Sequence, residues 1–482
     1  MNDGTVTSSV SEGVPLCVDL DGTLVRSDML VESVLALLKR NPLYAFALPL
    51  WLLRGRGHLK HEVARRALPD ATTLPYDERV CELVQAESPR RPVVLCTAAD
   101  RAIAEAVANH VGGFSEVMST DGAANLSGRN KADALVERFG ERGFDYVGNE
   151  RRDLAIWRHA RRAIVANAGA GIAARAAAVC GAVDVLSREH RGLRTWLQAL
   201  RLHQWLKNVL VFVPLIAAHL VTDPVAAARA GAAFVIFGVC ASGVYVLNDL
   251  FDLEADRRHP RKRNRPFAAG NLPLTGGFAL AALLTLAAFA AASALAPRFA
   301  LVLLGYYVLT LAYSLRLKQI AMLDVLVLAT LYTVRIVAGT VAIHVQFSFW
   351  LLAFAMFLFL SLALVKRYTE LGAQRQVASG TAPGRGYVAG DYELLASLGG
   401  ASGYLSVLVL ALYINSTASA ELYRRPYFLW LLCPLLLYWI SRTWIIAHRG
   451  KMHDDPVVFA ARDKVSMVLL VLAAIVVLLA IR

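Results

Sequence analysis

Residues 245–270 read YVLNDLFDLEADRRHPRKRNRPFAAG and close an apolar run that begins near residue 228. Asn248, Asp252 and Asp256 are spaced four and four apart; Asp249, Asp252 and Asp256 are spaced three and four. On a helix each set shares one face across about two turns. Carboxylates stacked at the end of an apolar helix repel one another, and the cluster is costly unless a cation neutralises it. Oxygen-only ligands suit Mg2+, which commonly bridges a protein to substrate phosphates. The basic run that follows, ending at Arg265, can hold the remaining phosphate charge.

The rest of the chain supports a membrane setting for this segment. Of 482 residues, 57% are hydrophobic and 18% charged, against about 45–50% and about 25% in soluble domains. That excludes a disordered chain and argues against an ordinary soluble protein. A bilayer core needs about 20 mostly apolar residues per helix. After residue 204 about nine such stretches occur, centred near 205–222, 228–247, 276–296, 299–313, 322–342, 347–365, 396–415, 427–447 and 465–481. The loops at 248–275, 314–321, 366–394 and 442–464 carry seventeen Lys and Arg, whereas the alternate loops and the C-terminus carry only Arg298, Arg424, Arg425 and Arg482. Positive charge stays cytoplasmic, so the N-terminus is expected inside the plasma (inner) membrane and the C-terminus outside. Nucleic-acid binding is not expected, because topology already explains the basic charge. A homo-oligomer is compatible with the sequence, which does not fix the state.

Residues 1–200 differ in kind. They hold 25 basic and 24 acidic side chains, against 25 and 13 in the remainder. This half reads as a water-soluble domain. The polar start MNDGTVTSSVSEG has no basic segment leading into an apolar core, so no cleaved signal peptide is expected. The six cysteines lie far apart and form no Cys-x-x-Cys or Cys/His cluster, so a structural zinc site is not expected. VPLCVDLDGT (14–23), PVVLCTA (92–98), DYVG (145–148) and AIVAN (163–167) read as buried strands separated by helical segments. Such alternation predicts an open parallel sheet with its site at the strand C-terminal ends. The expected organisation is a flexible 1–12, an α/β Rossmann-like domain over 13–188, a basic amphipathic linker over 189–204, and an all-α multi-pass membrane domain over 205–482. Residues 30–53, LVESVLALLKRNPLYAFALPLWLL, are unusually apolar for a soluble domain and contain Pro42 and Pro49. They read as a helical cap that also docks on the membrane or on the membrane half.

Asn-Asp-x-x-Asp-x-x-x-Asp at a span end resembles the first aspartate motif of the UbiA superfamily of intramembrane prenyltransferases. Members that use prenyl diphosphates carry a second aspartate-rich cluster. Here the matching segment, YSLRLKQIAMLD (313–324), offers Tyr313, Lys318 and one acid, Asp324. This pattern resembles the decaprenyl-phosphate phosphoribosyltransferase branch. RLHQWLKNVLVFVPL (201–215, with Lys207 and Asn208), TVRIVAG (Arg335) and KRYTEL (Lys366, Arg367) resemble it too. The resemblance implies a polyprenyl phosphate acceptor and a phosphoribosyl pyrophosphate donor. It places Mg2+ on Asp249 and Asp252 with Asn248 or Asp256, and makes Arg265, Lys318, Lys366 and Arg367 phosphate-clamp candidates. Asp324 would hold the donor or balance cationic charge, and Arg335 would face a cavity. An aromatic prenyltransferase using a prenyl diphosphate, with a degenerate or regulatory N-terminal domain, is the alternative; a scaffold and a transporter are further ones.

DLDGT, Thr97 in LCTAAD, Lys131 in SGRNKADAL and YVGNERRD, with Asn149 and Asp153, appear in the order of the four motifs of the haloacid dehalogenase superfamily of phosphohydrolases. That resemblance implies Asp19 as nucleophile and Asp21 as general acid/base. Thr97 and Lys131 would hold the phosphoryl group, and Mg2+ would sit on Asp19, the Asp21 carbonyl and Asp153. The fourth motif usually begins Gly-Asp and here is Gly148-Asn149, so a ligand at Asn149 would lack charge. Together the two resemblances imply transfer to a lipid followed by removal of the 5-phosphate.

Overall fold

The computed structural model describes residues 13–120, 126–186, 192–375, 386–452 and 455–481. The expected flexible 1–12, the start of the linker and Arg385 lie outside the described residues. The chain divides into two compact units, one formed by Met1–Leu200 with Tyr245–Ala281, the other by Arg201–Val244 with Ala282–Arg482.

The first unit is built on six parallel strands: β1 (Leu16–Val18), β2 (Val93–Asp100), β3 (Glu116–Thr120), β4 (Asp145–Gly148), β5 (Arg162–Ala166) and β6 (Val183–Leu186), in the order β3-β2-β1-β4-β5-β6. The sequence predicts four of these; β3 and β6 are additional, and both are edge strands. Side chains alternate faces along a strand. Leu16 and Val18 therefore join one core with Leu95 and Val147, while Cys17 joins the other with Val94, Cys96 and Tyr146. A sheet covered on both faces requires this unbroken apolar run. All six cysteines are free thiols.

Residues 245–281, assigned to the membrane half by sequence, pack in this same unit. Leu250, Leu253, Phe267 and Leu274 form a core with Leu35 and Ala199. Arg257 is buried against Glu32, with Nη2 donating to Oε1 at 2.5 Å, and Ser27 Oγ donates to the same carboxylate at 2.6 Å. Arg257 is thus a buried structural cation. The linker appears as the helix Leu193–Ala199, with Leu193 and Leu197 exposed and Trp196 set against Phe267.

Among the described residues, eight helices are long and apolar enough to cross a membrane: Pro224–Phe251, Leu274–Leu295, Pro297–Leu315, Leu323–Ala342, Phe349–Ala373, Ala389–Ile414, Pro426–His448 and Lys464–Ile481. The ninth expected stretch, 205–222, takes another form. It is a 3-10 run, Leu202–Phe212, continued by the short helix Val213–Ala217. Pro214 removes a donor where the two meet, and His219 turns the chain with a positive φ of 57°. Within the second unit Gly399 and Gly403 let helices approach closely. A Cβ at Gly399 would stand 2.1 Å from the Trp444 ring, and Ser361 Oγ donates to the Gly399 carbonyl at 2.6 Å.

Candidate active site

The first unit holds a cavity of about 620 Å3 lined by Asp19, Asp21, Lys60, Lys131, Asn149 and Asp153, among others. The loop after β1 makes its floor. Gly22 has φ +75°, and a Cβ there would stand 2.1 Å from Asn149 Nδ2, so glycine is required between the two acidic loops. Lys131, on the first turn of the helix Arg129–Phe139, donates to Asp19 Oδ1 at 2.6 Å and to the Cys96 carbonyl at 3.1 Å. Its ammonium is also 3.2 Å from the Tyr146 hydroxyl. Asp153 Oδ2 accepts the backbone N–H groups of Asn149 and Glu150 at 2.8 and 2.9 Å. Thr97 is fully buried at the irregular part of β2, where its hydroxyl accepts from the Ala99 N–H at 2.9 Å.

The charges here are strongly coupled. Burial pushes the Asp21 carboxyl up to about 7, helped by the negative charges of Asp28 and Asp19. Burial and Asp19 likewise push Asp153 up to about 7. Burial works against the Lys131 charge, but Asp19 and Asp153 outweigh it and hold the ammonium above its usual range. Lys60, which sequence reasoning did not single out, donates to the Ala98 carbonyl at 2.6 Å and is pulled down by burial.

The acidic segment is not one continuous helix. Pro224–Phe251 ends, and a short helix, Leu253–Arg258, follows. The backbone still runs through: Asp252 N–H bonds the Asn248 carbonyl at 2.9 Å and Asp256 N–H the Asp252 carbonyl at 2.8 Å. Asp249 sits on the last turn of the long helix, where the dipole disfavours negative charge. Arg265 compensates, with one Nη 3.3 Å from Asp249 Oδ1 and 2.5 Å from Asp256 Oδ2. Two buried amide oxygens, Asn248 Oδ1 and Asn149 Oδ1, have no hydrogen-bond partner among the described residues. A buried acceptor without a donor beside carboxylates fits a cation. Among the described residues no three His, Cys, Asp or Glu side chains group as a ready-made metal cage.

In the second unit, Asp324 is fully buried and paired with Arg367, whose Nη2 donates to Oδ1 at 2.9 Å and to the Tyr313 hydroxyl at 2.9 Å. Tyr313 donates in turn to Asp324 at 2.8 Å, and Glu370 takes the remaining Arg367 nitrogen at 2.5 Å. This geometry pairs Asp324 with a buried cation, and the Arg367 nitrogens are taken up by Asp324, Tyr313 and Glu370. Arg335 is buried within Leu323–Ala342. Its Nε donates to Asn208 Oδ1 at 2.9 Å, and the Phe237, Tyr306 and Tyr332 rings surround it at 5.2–5.7 Å. Lys318 lies half-buried on the turn Leu317–Gln319.

Lys207 and Lys366 share one acid, Asp455 Oδ2, at 3.0 and 3.1 Å, and Tyr332 donates to the same carboxylate. Burial opposes the Asp455 charge, but the two lysines hold its pKa below the carboxylate range. Asp455 was not foreseen. Its local signal is an N-cap preceding Pro456, where its side chain accepts the Val457 N–H at 3.1 Å.

Removing one partner of a buried ion pair costs roughly 3–5 kcal/mol. Asp324→Ala is therefore expected to lower the thermal unfolding midpoint in detergent by several degrees, and Asp324→Leu/Arg367→Met to recover most of the loss. A single variant that melts with wild type would overturn the pairing.

The UbiA prenyltransferase family profile matches residues 209–467, more than half of the chain. The chain belongs to this family. As a UbiA family member it is an integral membrane protein of the prenyltransferase type. A Sinorhizobium fredii protein, y4nM, is 38% identical over 457 residues, which are 94% of this chain and 88% of that protein, so the match takes in both halves. Nodulation protein NoeC of Azorhizobium caulinodans is 37% identical over 275 residues, 57% of this chain and 89% of its own length. Decaprenyl-phosphate phosphoribosyltransferase of Mycobacterium tuberculosis is 40% identical over 178 residues, 36% of this chain and 59% of that enzyme.

Proposed function

We propose that this UbiA family member transfers a 5-phosphoribosyl group from phosphoribosyl pyrophosphate to the phosphate of a polyprenyl phosphate, and that its N-terminal domain then removes the 5-phosphate. The observation that carries the first half is the state of Asp324. The 313–324 segment has no other acid, and this one is consumed by Arg367 and Tyr313. No carboxylate pair is left there for a second metal, which favours an acceptor with one phosphate. The Mycobacterium tuberculosis relative's name points the same way.

The roles divide by chemistry. Asp249, Asp252 and Asn248 would hold Mg2+, which when bound offsets the charge of the departing diphosphate. Arg265, already on Asp249 and Asp256, supplies positive charge beside it. Lys207 and Lys366, both in the second unit, carry one net positive charge after pairing with Asp455, which suits an acceptor phosphate. That phosphate is anionic at neutral pH, so its oxygen attacks the anomeric carbon without a strong general base. In the cavity Asp19 is the nucleophile, Lys131 holds the transferred phosphoryl group, and Asp21 carries the proton for the leaving oxygen. Asp19, the Asp21 carbonyl, Asp153 and Asn149 would hold the second Mg2+.

Topology supports one side for both reactions. Residues 245–281, which carry the basic loop residues Arg257 to Arg265, belong to the same compact unit as residues 1–200. With the basic loops cytoplasmic, the N-terminal domain is cytoplasmic too.

The test is a membrane assay with ribose-labelled phosphoribosyl pyrophosphate, polyprenyl monophosphate and Mg2+. Label is expected in the lipid fraction. A protein inert in this assay but active on a prenyl diphosphate and an aromatic acid would sink the reading.

Metal binding to the cavity should depend on pH in a defined direction. Below about 7 Asp153 must lose a proton before it can ligate. Mg2+ affinity by calorimetry is therefore expected to rise by up to about tenfold per pH unit toward 7 and to flatten above it. The same raised pKa values stabilise the metal-free domain fully below about pH 4, and that contribution is lost as pH rises through about 7. A pH-independent affinity would contradict the assignment.

A further inference from the structure

The segment Pro42–Leu53 has two apolar faces. Tyr44, Leu48 and Trp51 pack inward on a core with Leu37, Leu59 and Val63. Leu43, Phe46, Leu50 and Leu53, spaced three, four and three apart, point outward and are 69%, 77%, 63% and 84% exposed. A helical segment that is apolar all round is buried by something. Among the described residues nothing covers the outer face.

Three observations favour a bilayer as that cover. Leu52 lines the Asp19 cavity together with Pro273, Leu274 and Thr275, and Leu274 opens the membrane helix Leu274–Leu295. The exposed stripe therefore stands beside a helix entry into the membrane. Exposed Lys39, Arg40 and Arg54 flank it, as anionic headgroups would favour. At its base Trp51 is stacked by Arg66 at 4.8 Å and lies 5.8 Å from Tyr44, an aromatic pair of the kind that populates membrane interfaces.

We propose that Pro42–Leu53 dips into the membrane interface and forms the entry by which a lipid-linked phosphate ester reaches Asp19. The cavity has a charged end at Asp19, Lys131 and Asp153 and an apolar wall at Leu52, Leu59 and Leu274. A phosphate headgroup fits the first, and the start of a polyprenyl chain fits the second. The inserted stripe lets the chain remain in lipid while the headgroup is turned over. This inference rests on the phosphatase reading of the cavity, but the membrane contact can be measured without it.

The contact is tested on the full chain in nanodiscs of radiolabelled anionic phospholipid, with p-benzoylphenylalanine in place of Phe46. The control places it at Val185, which is also exposed, at 57%, on edge strand β6. Irradiation should label Phe46 with lipid and leave Val185 unlabelled. A Phe46 adduct with a second copy of the chain, or no lipid adduct, overturns the membrane contact. Entry is tested with Leu43→Glu/Phe46→Glu/Leu53→Glu, none of which lines the cavity. Hydrolysis of polyprenyl phosphoryl 5-phosphoribose should fall at least tenfold in kcat/KM, while hydrolysis of soluble ribose 5-phosphate stays at the wild-type rate and reports an intact fold. Equal loss on both substrates, or no loss on the lipid, overturns the entry role. Wild-type protein that hydrolyses neither ester would refute the phosphatase reading and the entry role together, with the Phe46 adduct still deciding the contact.

Discussion

Asp249→Ala is expected to abolish incorporation of labelled pentose into lipid, with a loss of at least about 10²–10³-fold in rate. The argument runs from the helix end. Asp249 is buried on the last turn of Pro224–Phe251, beside the unpartnered Asn248 oxygen. It offers a carboxylate that the helix dipole disfavours and that only positive charge makes tolerable. Removing it deletes a donor-side ligand, yet Arg265 keeps Asp256 at 2.5 Å. No buried cation is orphaned, so the fold should survive, and an unchanged melting profile in detergent checks this. Asp249→Asn should lose nearly as much, because it keeps the shape and drops the charge. Initial rates measured at saturating polyprenyl phosphate, with donor varied, separate donor binding from turnover. A variant within about threefold of wild type would remove Asp249 from the reaction.

The acidic segment was legible because its chemistry is local. Spacings of three and four on a helix end put Asn248, Asp252 and Asp256 in register, and the backbone bonds between them hold that register across the break at Asp252. The strand leading into Asp19 was legible for a similar reason, since a central parallel strand must be apolar on both faces. The edges were not. EVMST and VDVL lack an unbroken apolar run because β3 and β6 each pair on one side only.

What distance in sequence separates, a local reading cannot join. Asp455 meets Lys207 across 248 residues and Lys366 across 89, and nothing in the short turn before Pro456 announces it except a helix cap. Arg335 is another such case, meeting Asn208 across 127 residues. An arginine inside a span needs compensation, and a cavity was one way to supply it. The structure surrounds it with Asn208 and three aromatic rings. The 205–222 run was apolar enough for a span, but hydropathy does not register what Pro214 does to helical geometry. It also could not show that residues 245–281 pack with the N-terminal domain, because the Glu32–Arg257 pair joins residues 225 apart.

Asp19→Asn is expected to stop phosphate release by at least about 10⁴-fold, the order seen when a catalytic nucleophile is removed, while transfer to lipid continues. The substitution is isosteric. Thr23 Oγ1, 3.4 Å from Asp19 Oδ2, keeps a partner, and Lys131 keeps the Cys96 carbonyl and the Tyr146 hydroxyl. What is lost is the anionic oxygen that attacks phosphorus, and with it the carboxylate that opposes ionisation of Asp21 and Asp153. Both neighbours should therefore titrate lower in the variant, and its Mg2+ affinity should change less between pH 5 and about 7 than that of wild type. That shift reads the charge coupling independently of turnover. Membranes carrying the variant should accumulate a lipid that retains the 5-phosphate, in the same molar amount as the donor consumed, whereas wild type should yield the dephosphorylated lipid and an equal amount of inorganic phosphate. Separating the two lipids by charge on an anion exchanger decides the matter. If wild type and variant both retain the phosphate, the cavity does not act on the lipid made by the membrane half; if only the variant does, the two reactions are successive steps on one molecule.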